Sequence, residues 1–160
     1  QTREALLSHT QLVGNSLSIS MGAPSHVLTA WIPQDRYERL LEHYAYTNEL
    51  GGTFSTMRAT AMEQARRIRK CGFAHDAGQT MAGSVTISVP VFDHAGDIQA
   101  AIALSGLSRS LEPELAGMVA GQSAAAEAQD TVRLVQTIGF EVSRGLGYRS
   151  ADLGLNSAKR

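Results

Sequence analysis

Serine, histidine, aspartate and cysteine all occur in this chain, so nucleophilic or metal-assisted chemistry has to be weighed against their spacing. His75 and Asp76 are adjacent, and on a strand neighbouring side chains point to opposite faces, which separates the two. No G-x-S-x-G elbow exists to expose a serine nucleophile. His9, His26, His43, His75 and His94 are scattered, with neither H-x-x-x-H nor H-E-x-x-H spacing for zinc. Cys71 is the lone cysteine, so it forms no internal disulfide and no cysteine metal cluster. Its place beside Gly72 suits a small packed residue better than a nucleophile. There is no P-loop and no G-x-G-x-x-G run. The residues point to no catalytic set, no metal and no cofactor.

The hydroxyl groups are better organised. Val85, Ile87, Val89 and Val91 alternate with Ser84, Thr86, Ser88 and Pro90. After the turn Asp93 to Asp97, Ala100, Ile102 and Leu104 alternate with Ala101, Ala103 and Ser105. This is a β-hairpin. Pairing odd positions of its first strand with even positions of its second puts the branched apolar side chains on one face. The other face then collects Thr86, Ser88, Ala101, Ala103 and Ser105, small or hydroxylated, with room for a ligand. Pro90 lacks a ladder N–H, which predicts an edge or a local gap in pairing there. For Ser105 a hydroxyl satisfied within the sheet fits as well as a ligand contact.

Other elements must position that face. Leu17, Ile19 and Met21 alternate with serines and predict a short strand. Gly22-Ala23-Pro24-Ser25 opens a helix, with Pro24 in a first turn where a missing N–H costs nothing. That helix stops before Pro33, and a second runs from Gln34 to about Ala45 with Tyr37, Leu40, Leu41 and Tyr44 on one stripe. Tyr46 to Ala59 reads as loop. Thr60-Ala61-Met62-Glu63 is a capping-box pattern that predicts the start of a third helix, ending at Gly72. Phe73 to Asp76 is a strand. One long helix is expected from Leu111 to Arg144, with Ala128, Val132, Val135, Gly139, Val142 and Leu146 as its apolar stripe.

Composition bounds the partners. The net charge is −1, from 14 Lys+Arg against 15 Asp+Glu. The densest basic stretch, Arg66 to Lys70, sits at a predicted helix C-terminus, where cations meet the dipole favourably. Nothing else basic accompanies it, so the chain by itself does not read as a nucleic-acid binder. The absence of a leader-like or spanning segment and the single cysteine point to the cytoplasm.

Four stretches resemble the effector-binding domain of the bacterial IclR-type regulators, which is similar to GAF domains: Val13 to Pro33, Gly72 to Asp76, Val85 to Gly106 and Val132 to Arg149. Their order and spacing carry the likeness. His26 stands where the family usually has Lys, Ser25 where it has Gly, Gln79 where it often has Glu, and Thr86 where it often has Cys.

The resemblance implies an α/β (α+β) fold, an antiparallel sheet flanked by helices. Residues 1–149 would form the effector-binding domain and 150–160 a flexible tail. The family's winged helix-turn-helix would be absent, since only a dozen residues precede Val13. It also implies a pocket at Pro24, Ser25, Asp76, Thr86, Ala103 and Ser105. The alternative for Asp76 is a cap on the following turn. A helix N-terminus in that pocket suits an anion, so the implied effector is a small organic acid. Implied partners are a second copy or more, as homodimer or homotetramer, and DNA only through the helix-turn-helix. Two rivals stay open: an oligomerisation domain with an empty pocket, and a small-molecule enzyme.

Overall fold

The computed structural model describes residues 18–19, 21–47, 54–79, 83–107 and 111–149. In chain order the elements are α1 (Gly22–Trp31), α2 (Gln34–Thr47), α3 (Phe54–Cys71), β1 (Ala74–Ala77), β2 (Val85–Phe92), β3 (Ile98–Leu107), α4 (Glu112–Val119) and α5 (Ala126–Gly145). Among the described residues this is an α+β arrangement of five helices and one antiparallel sheet, ordered β1-β2-β3.

The sheet divides the core in two. Ile87 pairs with Leu104 and Val89 with Ile102, so the branched residues share one face, as their alternation predicts. On that face Phe73, Val85, Ile87 and Val89 pack with Leu111 and Leu115 and with Ala128, Val132 and Val135 of α5. The opposite face is covered by α1, whose Ala23, Val27 and Ala30 pack with Tyr37 and Leu41 of α2, Ala65 and Ile68 of α3, and Ala74 of β1. Small residues on this face let α1 lie close to the strands. Trp31 meets Phe92 edge-on at 5.6 Å, and Phe92 lies 5.2 Å from Tyr148, tying the end of α1 to the chain beyond α5.

Several expectations change. Ile19 lies in a turn and Met21 is the extended residue before α1, closed by a bond from Met21 N–H to the Ser18 carbonyl at 3.1 Å. Of the expected strand, Leu17 and Ser20 fall outside the described residues. Helix α3 begins at Phe54, not Thr60. Glu63 therefore sits mid-helix, where its carboxylate holds Arg66 and Arg67 instead of capping an N-terminus.

The expected helix Leu111 to Arg144 is two helices. Gly121, at φ +84°, takes the left-handed turn that ends α4, and the Ala120, Gly121 and Gln122 N–H groups bond back into it. Glu114 then accepts from Ala125 N–H at 2.8 Å at the start of α5. The inward stripe of α5 is Ala128, Val132, Val135, Gly139 and Ser143, while Val142 and Leu146 are exposed. β2 is the middle strand of the three, yet β1 covers it only as far as Ser88, so among the described residues Pro90 has no strand partner on that side. The expected tail, 150–160, and the segment before Ser18 lie outside the described residues.

Candidate functional site

The face under α1 is laid out in cross-strand rows. Asp76 of β1 is opposite Thr86 of β2, which is opposite Ser105 of β3. The next row is Ala74, Ser88 and Ala103. The register thus gathers Asp76, Thr86, Ser105 and Ala103, while Pro24 and Ser25 lie in the first turn of α1 beside Ala23, whose N–H meets Asp76. Asp76, Thr86 and Ser88 are buried, whereas Ala103 and Ser105 are exposed on the outer strand. The site is closed at β1 and open at β3.

Each polar group already has a partner. The Thr86 and Ser105 hydroxyls lie 3.0 Å apart in a hydrogen bond, and Ser88 donates to the Ile102 carbonyl at 3.1 Å. Asp76 Oδ2 accepts from Ala23 N–H at 2.8 Å, and its Oδ1 from Gln79 N–H at 3.3 Å. Gln79 Oε1 accepts from Gly22 N–H at 3.0 Å. The first turn of a helix leaves its N–H groups without intrahelical partners, and a negative group is favoured there. Here Gly22 is served by Gln79, just beyond β1, and Ala23 by Asp76 within β1, and Pro24 has no N–H to serve. The helix N-terminus expected to receive an anion holds the carboxylate of Asp76. The residue therefore caps the following turn, as its sequence position allowed, and also caps a helix distant in sequence.

Ser25 and His26 are buried in the first turns of α1. The Ser25 carbonyl accepts from the Thr29 hydroxyl at 2.8 Å, and His26 Nδ1 lies 3.1 Å from Gln64 Nε2, joining α1 to α3. Pro24 is half-buried. Sequence reasoning missed Gln79 and Gln64 as partners of α1. The signal for Gln79 was present, an amide three residues beyond Asp76 with a turn between, but its target lies 57 residues away.

On the opposite face His75 is half-buried. Burial lowers its pKa, against the pull of Glu112 and Asp76 and with a smaller push from His26. Burial raises the Cys71 thiol, whose Sγ lies 3.1 Å from the Phe73 carbonyl, away from the range of a reactive thiolate. A cleft of about 550 Å³ opens elsewhere, between the end of α3 and the end of α4, with Arg66, Arg67 and Lys70 over Met118 and Val119. Its arginines are held by Glu63. Among the described residues no group of three or more His, Cys, Asp or Glu side chains is placed to hold a metal ion.

The family model for the bacterial transcriptional regulator IclR C-terminal domain matches residues 2–132. The chain belongs to this family of transcriptional regulators. It is 29% identical over 136 residues to the HTH-type transcriptional regulator XynR of Escherichia coli K12, covering 85% of this chain and 49% of XynR. The crystal structure of Pseudomonas aeruginosa HmgR matches with a TM-score of 0.59 at 23% identity, over 88% of this chain and 49% of that one. Thermotoga maritima IclR matches with a TM-score of 0.59 at 19% identity, over 87% of this chain and 51% of its own. These structures establish the fold. The relatives are regulators of transcription, not enzymes. The chain spans about half the length of the curated relatives it matches.

Proposed function

We propose that this domain senses a small organic acid in the cytoplasm and passes the bound state to an attached winged helix-turn-helix, as a homodimer or homotetramer. DNA is contacted only through that second domain. The observation that carries the reading is the row Asp76–Thr86–Ser105, polar, lined by small Ala103 and open at its β3 end. A ligand acts by binding one arrangement of the domain better than another, and that difference in affinity is what operator binding reports.

The closed α1 N-terminus changes how an acid is held. Gln79 is exposed and supplies Gly22 N–H with a neutral amide oxygen. An effector carboxylate exchanges for that amide and gains the attraction of the helix end. Asp76 repels an acid unless the ligand also offers it a donor, so a hydroxy acid fits best, with its hydroxyls toward Asp76 and Ser105.

The test begins with a thermal-shift panel of hydroxy acids and neutral analogues, followed by calorimetry. Ser105→Ala is expected to weaken the best acid by about 3- to 10-fold, the worth of one hydrogen bond. Gln79→Glu puts a competing carboxylate at Gly22 and weakens it further. Preference for a neutral or cationic ligand, or unchanged affinity in both variants, would refute this assignment.

One observation favours a second reading. Among the described residues no buried side-chain nitrogen or oxygen lacks a hydrogen-bond partner. A site in which every group is already matched also suits an oligomerisation domain whose pocket stays empty. In that case no acid in the panel shifts stability while self-association persists.

A further inference from the structure

Helices α3 and α4 approach the sheet from opposite faces. Ala65 and Ile68 of α3 pack with α1, whereas Leu115 of α4 packs with Ile87 and Val89. Their C-terminal ends come together beside the start of β1, an outer strand of the described sheet, and leave the cleft of about 550 Å³ between them. Small-molecule sites enclose roughly 300–1,000 Å³. The cleft lies away from the β3 edge, where the Asp76 row opens. Its two walls differ in chemistry. Helix α3 presents Glu63, Arg66, Arg67 and Lys70, whose three- and four-residue spacing puts them on one helix face. Helix α4 presents Met118 and Val119, half-buried and packed on the core beneath.

Basic side chains at a helix C-terminus are favoured by the dipole alone, so the charges by themselves assign nothing. The apolar wall opposite is what solvated arginines and a lysine do not need. Glu63 is one carboxylate among three cations. It holds Arg66 through both Nε and a terminal nitrogen, but reaches Arg67 only at Nε, at 2.9 Å. Among the described residues Lys70 and the outer nitrogens of Arg67 have no acidic partner. We infer that this cleft is a second ligand site, for an amphipathic carboxylate such as a medium-chain fatty acid. The acid head sits at Arg67 and Lys70, and the apolar body lies against Met118 and Val119. Glu63 is the built-in competitor: it keeps Arg66, and the ligand takes the other two cations. Unlike the Asp76 row, this site asks for no ligand hydroxyl, and it goes beyond the function proposed above without resting on it.

Octanoate is the probe, titrated calorimetrically into the full chain, with octanol as its neutral counterpart and acetate as the head group alone. Octanoate is expected to bind better than either, and less well as salt rises. Affinity should climb about two- to fourfold per methylene from hexanoate to octanoate. Lys70 is exposed, so Lys70→Gln leaves the fold intact and should weaken octanoate about 2- to 5-fold, the range of an exposed ion pair. Glu63→Gln removes the competitor and should tighten it by a similar factor. Location is read from Cys71, which lines the cleft and is the chain's single cysteine. Octanoate should slow its alkylation by iodoacetamide, with less protection in Lys70→Gln at the same octanoate concentration. No octanoate binding, or octanol binding as tightly, would overturn the site. So would binding that leaves Cys71 unprotected or that either substitution fails to change, which would put the fatty acid on another surface. Capture of an acidic peptide where octanoate fails would make this face a protein contact and overturn the small-ligand assignment.

Discussion

Asp76 shows how one side chain can settle a local structure and limit a function. Its carboxylate serves both the turn after β1 and the first turn of α1, so α1 sits where Asp76 holds it. Asp76→Ala leaves the Ala23 N–H without its acceptor in a buried site and is expected to cost about 1–3 kcal/mol, read from urea unfolding. No loss of stability would mean that water replaces the carboxylate. The sequence places Thr86, Ser105 and Ala103 on one face through alternation alone. It leaves Asp76 undecided between cap and pocket, because the donor it serves lies 53 residues away. His75 gives a second prediction. Burial lowers its folded pKa below the unfolded value of about 6.5. The stability this represents is present above that value and lost as pH falls below it, since protonation is easier in the unfolded chain. Urea midpoints measured from pH 7.5 to 5 should therefore fall less in His75→Asn than in the parent. Equal slopes would show that other groups carry the acid sensitivity.

At the scale of elements, the close approach of α5 to β2 depends on Gly139. A Cβ there would stand 2.7 Å from Val89 Cγ2 and 3.2 Å from the Pro90 carbonyl oxygen. Val89 is buried, and the second neighbour is backbone, so neither yields easily. Gly139→Ala is expected to destabilise by about 1–3 kcal/mol through overpacking, despite its better helix propensity. A rise in melting temperature would show that the helix shifts outward freely. Ser143, one turn on, pins the same contact by accepting from Phe92 N–H at 3.0 Å while donating to the Gly139 carbonyl at 2.8 Å.

The sequence announced the hairpin and its register because alternation and burial point the same way. It misplaced the start of α3 because Thr60 to Glu63 imitates a cap while the salt bridges that use Glu63 lie within the helix. It ran α4 into α5 because alanines propagate a helix, and only the positive φ at Gly121 reveals the break. It put Val142 inward because at helical spacing Val142 and Ser143 are both near the stripe. Hydrophobicity favoured the valine, but the serine had a backbone donor to satisfy.

Charge at the scale of the whole chain bears on DNA. Fourteen Lys and Arg face 15 Asp and Glu, so long-range attraction to a polyanion is absent. A cationic cluster, Arg66, Arg67 and Lys70, borders the α3–α4 cleft, and Glu63 occupies two of its members. Binding to duplex DNA depends on neutralising several phosphates at once, with affinity falling steeply as salt rises. Three cations beside a carboxylate supply too few such contacts for specific binding. This chain alone is therefore expected to give no sequence-selective retardation of a duplex at 50 or 200 mM salt. A version joined to a winged helix-turn-helix is expected to retard its operator in a salt-sensitive way, and an acid bound at the Asp76–Thr86–Ser105 row should change that affinity. Retardation by this chain alone that discriminates between duplex sequences and weakens with salt would place a DNA surface within this domain. The division of labour between sensing and DNA contact would then fail.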